Sequence, residues 1–188
     1  NNLINVPLDM MKDKPQECTK YYSDQVCDAI SKLSQRLDWN VIDKVLQAIH
    51  DSDSVAFFGT QFSHSAALHF QTDLLMLEKF TMAYMETERQ IDCARLMDEN
   101  SVAIIVTVNG FYARSNSKVL QYLKKSKCKV VLMTNNPGID IGINVNYTIV
   151  LGDSEQRKIG KHTLLTAVEL MSLRYYSLYY PGIQEKII

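Results

Sequence analysis

Five short apolar runs, at residues 54–58, 81–85, 102–108, 129–134 and 147–151, constrain this chain more than any other feature. Each is apolar along most of its length instead of alternating with polar residues, as expected of strands covered on both faces. Helical patterning at 63–78, 88–97 and 113–125 fills three of the connections, 135–146 reads as a loop, and a long helix is predicted from about 155 to 178. Strand–helix alternation with short connections predicts an α/β fold built on a doubly wound parallel sheet. With strand order 2-1-3-4-5, ligands belong outside the carboxyl ends of the first and third strands, where the order reverses.

Two helices precede the first strand. Residues 1–15 are polar and interrupted by Pro7 and Pro15, which predicts a mobile or extended lead-in. From Glu17 onward Tyr22, Val26, Ile30, Leu33 and Leu37 recur at helical spacing. A second helix is expected over 41–50, capped by Asn40 or Asp38. Residues 1–39 therefore read as a lead-in with a linker helix, and 40–188 as one domain. The first residue is Asn1 and not methionine, which fits a domain excised from a longer protein.

Composition excludes several function classes. A chain of 188 residues with 46% hydrophobic and 22% charged residues can bury a full core. Its net charge of −1 supplies no general attraction to nucleic acid or anionic membranes. There is no apolar run of the ~20 residues a membrane span needs and no signal peptide, so a cytoplasmic location is the default expectation. Cys18, Cys27, Cys93 and Cys128 are scattered without metal-binding spacing and read as reduced thiols. No histidine–carboxylate spacing suggests a metal, and His50, His69 and His162 read as ordinary surface or helix residues. No Gly-x-Gly-x-x-Gly or Gly-Lys-Ser/Thr occurs, so no cofactor is expected.

The candidate site lies at two strand ends. After the first strand, Gly59 permits a tight turn, and Gln61, Ser63 and His64 begin a helix. A helix starting just past a strand end presents unpaired N–H groups and a partial positive charge, which suits an anion. Ser63 is either a phosphate-facing hydroxyl or simply the helix cap. After the third strand, Thr107 and Asn109 offer hydrogen-bonding side chains and Gly110 frees backbone N–H groups for an anion nest, unless this is an ordinary strand-to-helix turn. Arg114 and Lys118 follow, as phosphate ligands or as a solvated face. Glu86 and Glu88 lie past the second strand, either near the site or as the negative first turn of the next helix. Near the carboxyl end Arg174, Tyr175, Tyr176, Tyr179 and Tyr180 read as a subunit contact in preference to internal packing.

Gly59-x-x-x-Ser63 after the first strand and Thr107-x-Asn109-Gly110 after the third, in this order of elements, resemble a sugar isomerase (SIS) domain over residues 40 to 180. The helix around 22–37 is similar to the linker of RpiR-type transcriptional regulators, in which a helix-turn-helix domain precedes an SIS domain that senses a phosphosugar. The resemblance implies a three-layer fold with a five-stranded parallel sheet, a homodimer or homotetramer, and a sugar phosphate held by hydroxyls of the two loops. It also implies that DNA is reached only through an N-terminal domain outside this sequence. In the family the second loop reads Ser-x-Ser-Gly-x-Thr, whereas here Asn109 replaces a serine and Tyr112 a threonine. Gln61 replaces the second glycine of the first loop.

Three functions compete on these residues. The first is an effector-binding domain of an RpiR-type regulator, with Gly59, Gln61, Ser63, His64, Thr107, Asn109, Gly110 and Tyr112 around a sugar phosphate and no catalytic residue. The second is an aldose–ketose phosphate isomerase, which needs a base and an acid, for which Glu86, Glu88 and His64 are the nearby groups. The third is a degenerate SIS module that only dimerises, its cradle filled by the bulkier Asn109 and Tyr112.

Overall fold

The computed structural model describes residues 8–107, 110–152 and 160–180. Strands β1 (Ser54–Phe58), β2 (Thr81–Ala83), β3 (Ser101–Val106), β4 (Lys129–Thr134) and β5 (Tyr147–Val150) form one sheet in the order β2-β1-β3-β4-β5. Every neighbouring pair is parallel. The helices among the described residues are α1 (Leu8–Asp13), α2 (Pro15–Arg36), α3 (Trp39–Asp51), α4 (Phe62–Met76), α5 (Thr87–Leu96), α6 (Phe111–Ser115), α7 (Ser117–Ser126) and α8 (Gly160–Tyr179).

Alternation along the strands divides the interior into two cores. Val55, Phe57, Ile104, Val131 and Met133 face α3, α4 and α8, while Ala56, Phe58, Ala103, Ile105 and Leu132 face α5, α6 and α7. The strands are apolar throughout because each face meets helices. Burial, not propensity, holds the short helices: Ile42, Val45, Leu46 and Ile49 of α3 are at most 1% exposed. Burying each such side chain contributes about 1.5–3 kcal/mol. Asp38 caps α3, its carboxylate accepting the N–H groups of Asn40 and Val41.

The structure departs from the sequence expectation at three places. Residues 8–13 are helical where an extended lead-in was expected, and Pro15 opens α2, because proline is preorganised for a first helical turn and has no N–H to leave unpaired there. The helix expected over 113–125 starts earlier and breaks at Asn116, whose carboxamide donates to the Tyr112 carbonyl. The aromatic cluster near the end of α8 packs within the chain: Tyr175 is fully buried, Tyr179 stacks on His50 with ring centroids 3.9 Å apart, and the Tyr180 hydroxyl donates to Leu77 O. Arg174 makes a two-pronged contact with Asp43, both distances 2.9 Å, which holds the Asp43 carboxyl below its usual range.

Helix α2 lies on the outside of α8. Its Tyr22 hydroxyl and His162 Nε2 are 2.6 Å apart, and Leu33 joins the main core. No described helix is long and apolar enough to cross a membrane. The four cysteines are unpaired thiols, with Cys18, Cys93 and Cys128 buried.

Candidate functional site

The carboxyl ends of β1 and β3 are neighbours in the sheet, with Phe58 paired to Ile105, and the loops leaving them start α4 and α6. Gly59 is required at the first exit by close approach. A Cβ there would sit 3.0 Å from Ser63 Cβ, so the missing side chain lets α4 fold back against the strand end.

The turn into α4 is tight. The N–H groups of Ser63, His64 and Ser65 close onto the carbonyls of Thr60 and Gln61. Those of Gln61 and Phe62 remain without a backbone acceptor among the described residues. Ser63 is not the cap: Gln61 occupies that position, with no side-chain cap bond. The half-buried Ser63 hydroxyl, with no hydrogen bond to another described residue, is thus available to a ligand.

Gln61 has φ 50° and ψ −120°, a backbone conformation suited to glycine. The turn therefore keeps a glycine geometry although the residue is not one, and such strain costs of order 1–3 kcal/mol. Gln61→Gly is expected to raise the melting temperature by a few degrees, because relief of strain exceeds the extra chain entropy of glycine, roughly 0.5–1 kcal/mol. Thermal denaturation checks this, and a lowered melting temperature would count against the strain.

His64, 9% exposed, follows in the first turn of α4. Burial pushes its pKa below the ordinary 6.5, and the Glu86 carboxylate partly offsets that effect. At neutral pH the imidazole is uncharged and able to donate or accept a hydrogen bond. A folded state that resists this proton binds fewer protons than the unfolded chain below pH 6.5. The contribution of His64 is therefore complete above pH 6.5 and is lost as pH falls from there toward the folded value. Denaturant midpoints measured from pH 7.5 to 5 are expected to fall in the wild type and to fall less steeply in His64→Gln.

The second loop is organised differently. The buried Thr107 hydroxyl accepts the Tyr112 N–H at 3.3 Å, and Gly110 adopts the left-handed φ of 74°. Asn109 lies outside the described residues. Arg114 is exposed and reaches back over this turn: a methyl carbon at Gly110 would sit 3.3 Å from its Nη1. Arg114 makes no ion pair with another described residue.

Tyr112, only 2% exposed, packs into the core between the sheet and α5–α7. Its hydroxyl donates to Gln90 Oε1, while Gln90 Nε2 donates to Gly59 O at 2.9 Å and Tyr84 O at 2.7 Å. Burial raises the Tyr112 pKa far above that of free tyrosine, so it remains a donor. Gln90 thus ties the second loop to the first, although in the sequence it is one polar residue in a polar helix. Glu86 and Glu88 are exposed at the start of α5. Two surface clefts lie elsewhere, one at the amino ends of β3 and β4 and one beside β5. Among the described residues, no three His, Cys, Asp or Glu side chains are placed to hold a metal.

No protein-family model matches the chain, and no curated protein matches it in sequence. Solved structures do match it in shape. The NanR protein of Vibrio vulnificus, complexed with ManNAc-6P, superposes with a TM-score of 0.77 at 13% identity, over 95% of this chain and 70% of that one. The sugar isomerase domain of an RpiR transcription factor from Sphaerobacter thermophilus gives 0.63 at 14% identity, over 85% and 95% of the two chains. Phosphoheptose isomerase GmhA from Neisseria gonorrhoeae gives 0.70 at 14% identity, over 88% and 100%. The chain therefore has the SIS fold, a five-stranded parallel sheet in the order 2-1-3-4-5 between helical layers. A transcription factor and an enzyme share this fold, so function must be argued from the residues at the sheet edge.

Proposed function

We propose that this chain is a phosphosugar-binding SIS domain that serves as the effector-binding part of an RpiR-type regulator. The observation that carries the reading is the open Ser63 hydroxyl at the start of α4, beside unpaired N–H groups, at the switch point of the sheet. Ser63 and the α4 N-terminus take the phosphate, Arg114 supplies a positive charge from the second loop, and neutral His64 contacts a hydroxyl. Gly59 and Gly110 shape the two turns, and Gln61 holds the first in its glycine conformation. Tyr112 acts indirectly, through Gln90, by fixing the distance between the loops.

The same reading gives 40–188 as the sensor domain and α2 as the connection to a DNA-binding domain. Helix α2 is fastened to α8 through Tyr22 and His162, close to the start of α8. A ligand that favours one arrangement of α8 would bias α2 by its difference in affinity for the two states, within a dimer or tetramer.

One observation favours the isomerase as the second reading. Glu86 lies within electrostatic reach of His64, which brings a carboxylate and an imidazole to one edge. Incubation with aldose and ketose phosphates, followed by NMR of the sugar signals, separates the two. The regulator reading expects binding without turnover. Aldose–ketose conversion that disappears in Glu86→Gln would replace it with the enzyme.

A further inference from the structure

A third loop meets the same sheet edge, and one of its buried side chains is left without a hydrogen bond among the described residues. Asn135 is the first residue past β4, the strand beside β3, and is 2% exposed. Neither its Oδ1 nor its Nδ2 has a hydrogen-bond partner among the described residues. Polar groups next to it in the chain and in the sheet are engaged elsewhere. Thr107 N–H donates to Met133 O and Leu151 N–H to Thr134 O, which continue the sheet. Asn136 builds the turn, its N–H donating to Thr134 Oγ1 while its own Oδ1 accepts the Gly138 N–H.

A buried carboxamide left unpaired destabilises the fold, and an apolar residue of similar size would serve packing better. The other unpartnered buried side-chain atoms among the described residues are single hydroxyls, Thr81 Oγ1 at the opposite end of the sheet and Ser172 Oγ within α8. Of these residues Asn135 alone leaves two separate atoms unpartnered, an acceptor oxygen and a donor nitrogen, and it does so at the carboxyl edge of the sheet. Its register matches Val131 and Met133, which face α4 and α8, so it lies on the side from which Ser63 approaches.

We propose that Asn135 is a binding residue that recognises the uncharged part of the ligand, donating to and accepting from a hydroxyl or acylamino group of the sugar. This rests on the phosphosugar reading above. The carboxamide carries no charge, so it suits the sugar and leaves the phosphate to Ser63 and Arg114. The turn that carries it is seated on the second loop, since Ile139 Cδ1 occupies the space a Cβ on Gly110 would need.

Calorimetric titration of the whole chain with glucose 6-phosphate, glucosamine 6-phosphate, ManNAc-6P and inorganic phosphate tests this in the wild type, Asn135→Leu and Asn135→Ala. The inference expects unliganded melting temperatures no lower than wild type in Asn135→Leu, at least tenfold weaker binding of the sugar phosphate the wild type prefers, and inorganic phosphate binding changed less than twofold. Unchanged sugar-phosphate affinity would overturn it. So would both variants melting well below wild type with sugar phosphate and inorganic phosphate weakened alike, which marks a structural residue. If the wild type binds inorganic phosphate but no sugar phosphate, or binds nothing, the phosphosugar reading itself fails and takes this inference with it.

Discussion

Gln90→Leu is expected to lower the melting temperature by roughly 6–12 °C, the shift that about 3 kcal/mol produces in a domain of this size. Gln90 is 1% exposed, and its carboxamide serves Gly59 O, Tyr84 O and the Tyr112 hydroxyl, with Met85 O farther off at 3.4 Å. Leucine fills the same volume but leaves two carbonyls and a buried hydroxyl unpaired, each costing about 1–3 kcal/mol. Tyr112→Phe removes one of these bonds and is expected to cost less, about 1–2 kcal/mol. The double variant should cost less than the sum, because phenylalanine no longer presents a hydroxyl needing Gln90. Additive losses would show that the two residues act separately. Phosphosugar binding is expected to weaken along with stability, since the distance between the loops depends on this link.

Gly110→Ala is the second change with a large expected effect. Its φ of 74° lies in the left-handed region, where a side chain costs about 1–2 kcal/mol. The added carbon would also fall 2.0 Å from Ile139 Cδ1, so Ile139 and the turn that carries it must shift. Overpacking of this kind costs typically about 1–3 kcal/mol, for a combined loss of about 2–5 kcal/mol. Adding Ile139→Ala removes the overlap but not the backbone strain, so the double variant should regain part of the loss in denaturant titrations. Complete recovery, or none, would contradict the division between the two causes.

The architecture was legible because it depends on period. Apolar runs such as Val102–Val106 and Lys129–Thr134 lie between covered faces, and their order follows from the right-handed crossovers a parallel sheet requires. Local competition was not legible. Asn116 interrupts a helix that its neighbours would continue: its φ of −126° and ψ of 42° leave the helical region while its carboxamide joins its own N–H on the Tyr112 carbonyl. Pro15 reads as a breaker but stands where a helix begins.

At the site, topology identified the sheet edge, while partnering had to be seen. Ser63 reads equally as a cap or a ligand group, and the turn removes the cap reading because Gln61 occupies that position. Tyr112 reads in the sequence as a bulky replacement of a threonine, and nothing there signals that its hydroxyl is held by Gln90, a residue of α5 that follows the exposed Glu88 and Arg89. Asn135 carried a signal that topology alone would have supplied: it ends a strand at the edge where ligands bind. The loop composition around it, rich in Asn, Pro and Gly, instead reads as a turn.

Melting of the wild type and of Ser63→Ala with a panel of hexose and amino-sugar phosphates tests the phosphosugar site most directly. A ligand at a hundred times its Kd stabilises the chain by about 2.7 kcal/mol, roughly 5–11 °C here. The expected result is a shift of that order for at least one phosphosugar in the wild type, absent with the unphosphorylated sugar and much reduced in Ser63→Ala. No shift with any phosphosugar, or an equal shift in Ser63→Ala, would contradict the assignment of the site.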